Sequence, residues 1–126
     1  MMSRKSVAQS IILLLIGIFY LSCDSDNPVS SESSLQITLK STEQYEYNTK
    51  IAGDEEGAKI ITQANHYRRS EIVRDESTSW AAVYKYEPAS GYTGRDYVEL
   101  ETHTGSDGAG PPTEISLIKI TFFVTN

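Results

Sequence analysis

The chain has 126 residues, a formal net charge of −6 and a single cysteine. This length supports one small domain, and the acidic balance argues against nucleic acid as a partner and against electrostatic docking on anionic lipid. Because one cysteine cannot form a disulfide within the chain, the hydrophobic core alone must stabilise the fold.

An apolar run near the N-terminus, Ile11–Leu21, is preceded by two positive charges, Arg4 and Lys5. A helix that spans a bilayer needs about 20 apolar residues, so this run is too short to span one comfortably. Its length and the charges on its N-terminal side are typical of the apolar core of a secretory signal peptide. We therefore predict that residues 1–22 are a signal peptide.

The apolar run ends in Leu21, Ser22 and Cys23, the single cysteine of the chain. This junction resembles the lipobox of bacterial lipoproteins, in which a small residue precedes a cysteine whose thiol is lipidated; the family prefers leucine where this chain has Tyr20. The resemblance implies cleavage before Cys23 and membrane attachment through acyl chains such as palmitate, with about 0.8 kcal/mol for each buried CH₂. An ordinary signal peptide with a free thiol, or an uncleaved anchor helix, is the alternative.

An acidic, serine-rich segment, Asp24–Ser34, follows the cysteine and contains one hydrophobic residue, Val29. Such a segment buries too little apolar surface to offset its ordering entropy, so we predict a disordered, flexible tether. The predicted organisation is a signal peptide over residues 1–22, a lipidated cysteine with its tether over 23–34, and a folded domain over 35–126.

The acidic start of the tether bears on localisation. Acidic residues directly after the cysteine resemble the surface-export signal of lipoproteins in Bacteroidetes-type bacteria, whereas in enteric bacteria an aspartate such as Asp24 favours retention in the inner membrane. The tyrosine-rich, acidic chain after the cysteine favours the first interpretation. We therefore expect a lipoprotein of the bacterial cell envelope, in the outer membrane, that faces the periplasm or the cell surface.

The remaining chain alternates between short apolar–polar or β-branched segments and turn residues. Alternation with a period of two is typical of strands with one buried face, and no segment predicts a helix. The predicted strands are Leu35–Lys40, Tyr45–Ile51, Lys59–Thr62, Tyr67–Arg74, Trp80–Tyr86, Asp96–Thr102 and Ile115–Thr125. The pattern predicts an all-β fold, an antiparallel sandwich of about seven strands.

The alternation also predicts which side chains form the core. The inward faces of the first, fifth, sixth and seventh strands are the clearest. The predicted core residues are Leu35, Ile37, Leu39, Trp80, Ala82, Tyr84, Tyr86, Val98, Leu100, Ile118, Ile120, Phe122 and Val124. Pro88 ends the fifth strand because it cannot donate a hydrogen bond to a neighbour, and the charges of Tyr67–Arg74 suit an edge strand.

Two motifs carry a resemblance to a known domain family. Tyr84–Pro88 is an aromatic-x-aromatic-x-Pro strand end, and Gly91–Asp96 is a Gly-aromatic-x-Gly-x-Asp corner. Together they resemble the C-terminal half of bacterial immunoglobulin-like (cadherin-like) repeats, and the acidic turn Gly53–Gly57 is similar to a turn of the same family. The resemblance covers roughly Glu43–Val124 and implies an immunoglobulin-like β-sandwich, here as a single repeat.

Acidic side chains in or near the glycine-rich turns are candidate calcium ligands. They are Asp54, Glu55, Glu56, Asp96 and Asp107. Cadherin-like repeats often bind calcium between domains, and one domain supplies only half of such a site. The alternative is that these acidic residues only keep an exported protein soluble. We expect no cofactor, and calcium is the one candidate. The two histidines, His66 and His103, have no partner at metal-ligand spacing, and no metal site is predicted from them.

A basic and aromatic patch is the candidate contact surface, because arginine and tyrosine are enriched in tight interfaces. Its members are His66, Tyr67, Arg68, Arg69, Tyr92 and Tyr97. The partner would be another protein of the envelope or a glycan. Trp80 is expected in the core, not in this patch.

One pair of carboxylates, Glu99 and Glu101, shares the outward face of the sixth strand. Paired carboxylates can hydrolyse glycosidic bonds, although a role as solvated surface residues explains Glu99 and Glu101 better. No phosphate-binding loop and no nucleophile motif is present, so no catalytic residue is assigned. We expect a non-enzymatic lipoprotein that presents one immunoglobulin-like domain for binding or for a structural role in the envelope. The alternative is a glycan-active enzyme or accessory module that uses surface carboxylates.

Overall fold

A computed structural model describes residues 28–126, which form seven β-strands and a single turn of 3₁₀ helix at Glu76–Thr78. The strands are β1 (Val29–Lys40), β2 (Tyr45–Asn48), β3 (Gly57–Thr62), β4 (Tyr67–Val73), β5 (Val83–Pro88), β6 (Gly94–Thr104) and β7 (Glu114–Thr125). Within this region no helix has the length and apolar character to cross a membrane. The predicted signal peptide, Cys23 and the start of the tether lie outside the described residues.

The strands form two sheets, one in the order β1-β7-β6-β3 and one in the order β2-β5-β4. Immunoglobulin-type sandwiches likewise place their second, fifth and fourth strands in one sheet and their third, sixth and seventh in the other. The predicted all-β sandwich of about seven strands is confirmed, and β4 lies at a sheet edge as expected. One pairing differs from the antiparallel prediction: β1 runs parallel to β7. The whole domain between these strands serves as the crossover that parallel pairing requires.

The first strand begins earlier than predicted, at Val29 instead of Leu35. Residues 30–34 are exposed, so no apolar alternation could reveal them, and the prediction of a flexible tether up to residue 34 is wrong for this part. Main-chain pairing with β7 holds the segment. On its outer face the carboxylate of Glu32 also accepts a hydrogen bond from Lys119 Nζ at 2.8 Å.

The core lies between the two sheets and is built from the predicted inward faces of β5, β6 and β7. Its largest fully buried side chains are Tyr84, Tyr86, Phe122, Leu100, Ile120 and Val98. The rings of Tyr86 and Phe122 stack with centroids 3.8 Å apart, and Tyr45 meets Phe122 edge-on at 5.6 Å. Full burial of each large apolar side chain contributes about 1.5–3 kcal/mol, so these contacts join the sheets.

Trp80 is not part of the core, and that prediction is wrong. Its side chain is 62% exposed, and β5 begins three positions later, at Val83. The backbone has positive φ at both Ser79 and Trp80, 51° and 62°. Two successive left-handed residues turn the chain, which breaks the alternation that Trp80 shares with Tyr84 in the sequence.

The connections between strands divide between the two ends of the sandwich, because strands that follow one another along the chain run in opposite directions. One end, which we name the corner, carries the connections over residues 41–44, 63–66 and 89–93. The opposite end, called the tip, carries the connections over residues 49–56, 74–82 and 105–113. The N-terminal end of β1 also lies at the tip, since Val29 pairs with Glu114.

Candidate functional site

At the corner, Asp96 is a buried carboxylate that joins three segments. It is 3% exposed. Its Oδ1 accepts hydrogen bonds from the amides of Asn65 (2.8 Å) and Tyr97 (2.9 Å). Its Oδ2 accepts from the amide of His66 (2.9 Å) and from Tyr86 Oη (2.8 Å). These four donors compensate the desolvation of the charge and tie the β3–β4 turn to β5 and β6.

The tyrosine hydroxyls beside this carboxylate act as structural donors. Burial raises the pKa of Tyr86 far above its ordinary value, and the hydrogen bond to Asp96 raises it further. Burial also raises the pKa of Tyr84, whose hydroxyl lies 2.8 Å from Ser70 Oγ. Both phenols therefore stay protonated and bound within the fold across the physiological pH range.

The five candidate calcium ligands do not meet in space. Asp54, Glu55, Glu56 and Asp107 lie at the tip, whereas Asp96 lies at the corner, a full length of β6 away. Within residues 28–126, no group of three or more histidine, cysteine, aspartate or glutamate side chains is placed to hold a metal ion. Calcium binding stays a prediction, which thermal unfolding with and without a chelator would test.

Two of the tip carboxylates are bound to their own loops. The side chain of Glu56 folds back onto the amides of Ala52 (3.2 Å) and Gly53 (2.9 Å), and these hydrogen bonds lower its pKa. Asp107 Oδ1 accepts hydrogen bonds from the amides of residues 109 and 110, which lowers its pKa in the same way. These two carboxylates therefore shape the tip loops.

The predicted basic and aromatic patch is divided by the fold. His66 and Tyr92 stack at the corner with ring centroids 4.2 Å apart and planes 8° from parallel. Tyr92 Oη donates to the carbonyl of Arg95 at 2.6 Å, which fixes the ring. Tyr67 is partly exposed at the start of β4, and Tyr97 lies on the outward face of β6.

The two arginines of the patch are bound to neighbouring carboxylates. Arg68 Nε donates to Glu87 at 2.9 Å, and Arg69 Nε donates to Glu71 at 2.6 Å. Exposed pairs of this kind contribute about 0–1 kcal/mol, so they stabilise little. They do reduce the positive charge that the patch offers to a partner.

Glu99 and Glu101 lie on the outward face of the four-stranded sheet and are both bound. Glu99 accepts hydrogen bonds from Thr62 Oγ1 and Tyr97 Oη, each at 2.6 Å, and these bonds lower its pKa. A hydrogen bond with His103 and an ion pair with Lys59, at 3.0 Å, lower the pKa of Glu101. Both carboxyls are therefore ionised near neutral pH, which is unlike the general acid of a glycosidase.

The tip holds the feature that sequence reasoning missed, the exposed indole of Trp80. In the described part of the chain, the non-glycine residues with positive φ are Lys50, Ser79 and Trp80, and all three lie in tip loops. For a bulky residue this conformation costs on the order of 1–3 kcal/mol, so surrounding contacts must impose it. The signal that could have revealed it is the capping pattern of Asp75 with Thr78, which places a helical turn before Trp80.

Arg74 supplies the contacts that hold Trp80. Its guanidinium donates to the carbonyl of Trp80 at 2.8 Å, of Glu56 at 3.0 Å and of Gly53 at 2.8 Å. The amide of Trp80 also donates to the carbonyl of Asp75 at 2.8 Å. One side chain thus joins the 49–56 and 74–82 connections and fixes the backbone that carries the indole.

Two surface hollows adjoin the connection over residues 105–113. One has a volume of about 310 Å³, and its lining includes Asp54, Glu55 and His103. The other has a volume of about 400 Å³ and is lined mainly by the loop itself together with Pro28. Glu55 contacts the loop closely, since a Cβ added at Gly108 would meet its Oε1 at 2.9 Å. The tip therefore combines an exposed aromatic ring with an acidic hollow.

Comparison with known proteins does not assign this chain to a family. No protein-family model matches it, and no curated protein sequence matches it. Among solved structures, a cysteine protease inhibitor, EhICP2, from Entamoeba histolytica is similar over 76% of this chain and 99% of the inhibitor, with 6% identity and a TM-score of 0.37. A sialyltransferase from Photobacterium damsela is similar over 75% of this chain and 18% of that enzyme, with 14% identity and a TM-score of 0.36. Similarities this low carry no information about function.

Proposed function

We propose that this chain is a lipid-anchored, non-enzymatic binding module of a bacterial envelope. It presents one immunoglobulin-like domain to an envelope protein or a glycan. Attachment is through acylated Cys23 after removal of residues 1–22, and the outer membrane is the expected location. The lipobox-like junction of the sequence supports the anchor, and the geometry of the tip supports the binding role.

The observation that carries the binding role is the exposed indole of Trp80 on a constrained backbone. Tryptophan is among the residues that contribute most to interface energies, and rigid loops on a sandwich are common binding elements. Because the bonds from Arg74 fix the loop before any partner arrives, little conformational entropy is lost on binding. An exposed aromatic side chain on a strained backbone adds little to the stability of the fold, so recognition of a partner explains it better.

The state of the surface carboxylates supports binding over the enzymatic alternative. A glycosidase needs one carboxyl with a raised pKa to protonate the leaving group. The pKa values of Glu99 and Glu101 are both lowered by hydrogen bonds from neighbouring side chains of the same sheet. A glycan-active enzyme would therefore have to use other groups.

The anchor is tested by replacing the acylated residue. A Cys23→Ser variant of the full chain is expected to move from the membrane fraction to the soluble fraction and to lose incorporation of labelled palmitate. A Ser22→Ala variant, which keeps a small residue before the cysteine, serves as the matched control and stays membrane-bound. Full membrane retention of Cys23→Ser would show that the chain is not a lipoprotein.

A further inference from the structure

We propose that the tip binds a basic segment of a second protein, one that carries arginine or lysine side chains and lies at the membrane surface. The inference deepens the proposed function and rests on it, because it takes the module to be anchored through Cys23. Three observations support it: the exposed Trp80, the charge of the tip loops, and the point at which the chain enters the domain.

Trp80 offers a face for a cationic side chain. It is 62% exposed, and no other large hydrophobic side chain within residues 28–126 is as exposed. Of the aromatic side chains, tryptophan attracts cations over its ring most strongly, and arginine is the most frequent partner. The bonds from Arg74 hold the backbone of Trp80 beside the 49–56 connection. A cation on this ring would therefore lie near the carboxylates of that connection.

The tip loops carry an excess of negative charge. Their cations are Lys50 and Arg74, and the guanidinium of Arg74 is already bound to carbonyl groups. Their carboxylates are Asp54, Glu55, Glu56, Asp75, Glu76 and Asp107. Charge complementarity therefore selects a positively charged partner and repels an acidic one.

Asp54 and Glu55 are the carboxylates best placed to receive a cation. Both line the hollow of about 310 Å³. Neither side chain has a hydrogen-bond or ion-pair partner among residues 28–126, in contrast to Glu56 and Asp107. A carboxylate and a guanidinium form hydrogen bonds roughly twice as strong as neutral ones, so an inserted arginine would meet complementary groups.

The entry point of the chain places the tip near the lipid. β1 begins at Val29 at the tip, and only residues 24–28 separate it from Cys23. Fully extended, this connection spans at most about 20 Å. With Cys23 acylated, the tip is the end of the sandwich held closest to the bilayer, and the corner points away. A partner at the tip must therefore present its basic segment within that distance of the membrane.

The charge of the tip favours a protein partner over the lipid itself. Anionic headgroups repel carboxylates, and juxtamembrane attraction to such lipids requires clusters of lysine and arginine. The tip has the opposite sign. Basic segments next to a membrane are common in proteins, and their charge complements Asp54 and Glu55.

The test uses the full-length chain, anchored in vesicles of zwitterionic phosphatidylcholine. Trp80 is the single tryptophan of the chain, so its emission reports directly on the tip. The probe is a short peptide of alternating arginine and serine, and the matched peptide carries glutamine in place of arginine. The arginine peptide is expected to protect Trp80 from acrylamide quenching, and the glutamine peptide is not. The affinity should fall as salt rises from about 0.05 M to about 0.5 M, because the Debye length shrinks from roughly 14 Å to roughly 4 Å.

Two variants locate the binding site, with a labelled peptide and fluorescence anisotropy as the readout. Trp80→Ala is expected to weaken binding of the arginine peptide roughly 30-fold, as for an interface hot spot. The double variant Asp54→Asn/Glu55→Gln should weaken it at least roughly tenfold. Glu46→Gln is the control, because Glu46 pairs with Lys85 on the outer face of the three-stranded sheet and leaves the tip unchanged. All four substituted positions are exposed, so thermal unfolding should change little.

The outcomes separate the inference from the proposed function. The basic-segment inference is overturned if both peptides bind with the same affinity. It is also overturned if either tip variant binds the arginine peptide as tightly as the unaltered chain does. Protection of Trp80 by vesicles alone identifies the lipid as the occupant, and binding to a glycan array alone identifies a sugar. Both results overturn the inference and leave the anchored binding module intact. Failure of Cys23→Ser to release the chain from membranes instead contradicts the proposed anchor.

Discussion

Replacing the buried carboxylate of Asp96 by an amide should destabilise the domain strongly. The carboxylate is 3% exposed and accepts four hydrogen bonds, two at each oxygen. In Asp96→Asn one oxygen becomes an NH₂ group, which cannot accept from the two donors that face it. Each lost hydrogen bond to a charged group costs about 1.5–3 kcal/mol, and the hydroxyl of Tyr86 can rotate to accept from the new NH₂ group, so the variant loses about 3 kcal/mol.

This loss is large against the total stability of a small domain, which is about 5–15 kcal/mol. For a domain of about 100 residues it corresponds to a fall in Tm of about 12–24 °C. Circular dichroism during urea and thermal unfolding measures both quantities. Asp54→Asn is the matched control, since Asp54 is exposed and its variant should change stability by less than about 0.5 kcal/mol. A loss below about 1 kcal/mol for Asp96→Asn would refute the conclusion that the hydrogen bonds of this carboxylate hold the β3–β4 turn against β5 and β6.

Three further predictions follow from other contacts. The hydrogen bonds of Glu101 lower its pKa below the ordinary value of 4.5, so its contribution to the free energy of unfolding is present above pH 4.5 and is lost as the pH falls below it. Urea unfolding at a series of pH values should show a smaller loss of stability at acid pH in Glu101→Gln than in the unaltered chain. Arg74→Gln removes the bridge between tip loops, so the fluorescence anisotropy of Trp80 should decay faster than in the unaltered chain. Ser79→Gly relieves a left-handed backbone at φ 51° and should raise stability by about 0.5–1 kcal/mol, measured by urea unfolding.

The sequence predicts the core well because one-sided burial leaves a period of two in the chain. Val98 and Leu100 on β6, and Ile120 and Phe122 on β7, are fully buried, as their alternation predicts. The strands around them have polar residues at the intervening positions, so the inward face is legible without knowing any partner.

The pairing of β1 could not be read in the same way. Residues 30–34 of this strand are serines and a glutamate that remain exposed, and backbone hydrogen bonds to β7 hold them. Backbone groups are the same in every residue, so the sequence carries no record of which strand will pair with them. Glu32 and Lys119 mark the pairing with an ion pair, but they are far apart in the chain.

The tip escaped prediction for a related reason. The position of Trp80 depends on a left-handed turn and on bonds from Arg74 to carbonyls of another connection. These are long-range or conformational features, and an alternating pattern that includes Ala82 and Tyr84 concealed them. The arginines of the predicted patch were likewise visible in the sequence, whereas the pairing of Arg68 with Glu87 on the neighbouring strand β5 was not.

We propose that the anchored immunoglobulin-like domain recognises a basic partner through the indole at its tip. The most direct measurement is acrylamide quenching of Trp80, the single tryptophan, in the vesicle-anchored full-length chain. We expect strong quenching of the free protein and protection when the arginine peptide is added, with no protection from the glutamine peptide. A tryptophan that is already shielded, or one that neither peptide protects, would contradict recognition of a basic segment by Trp80.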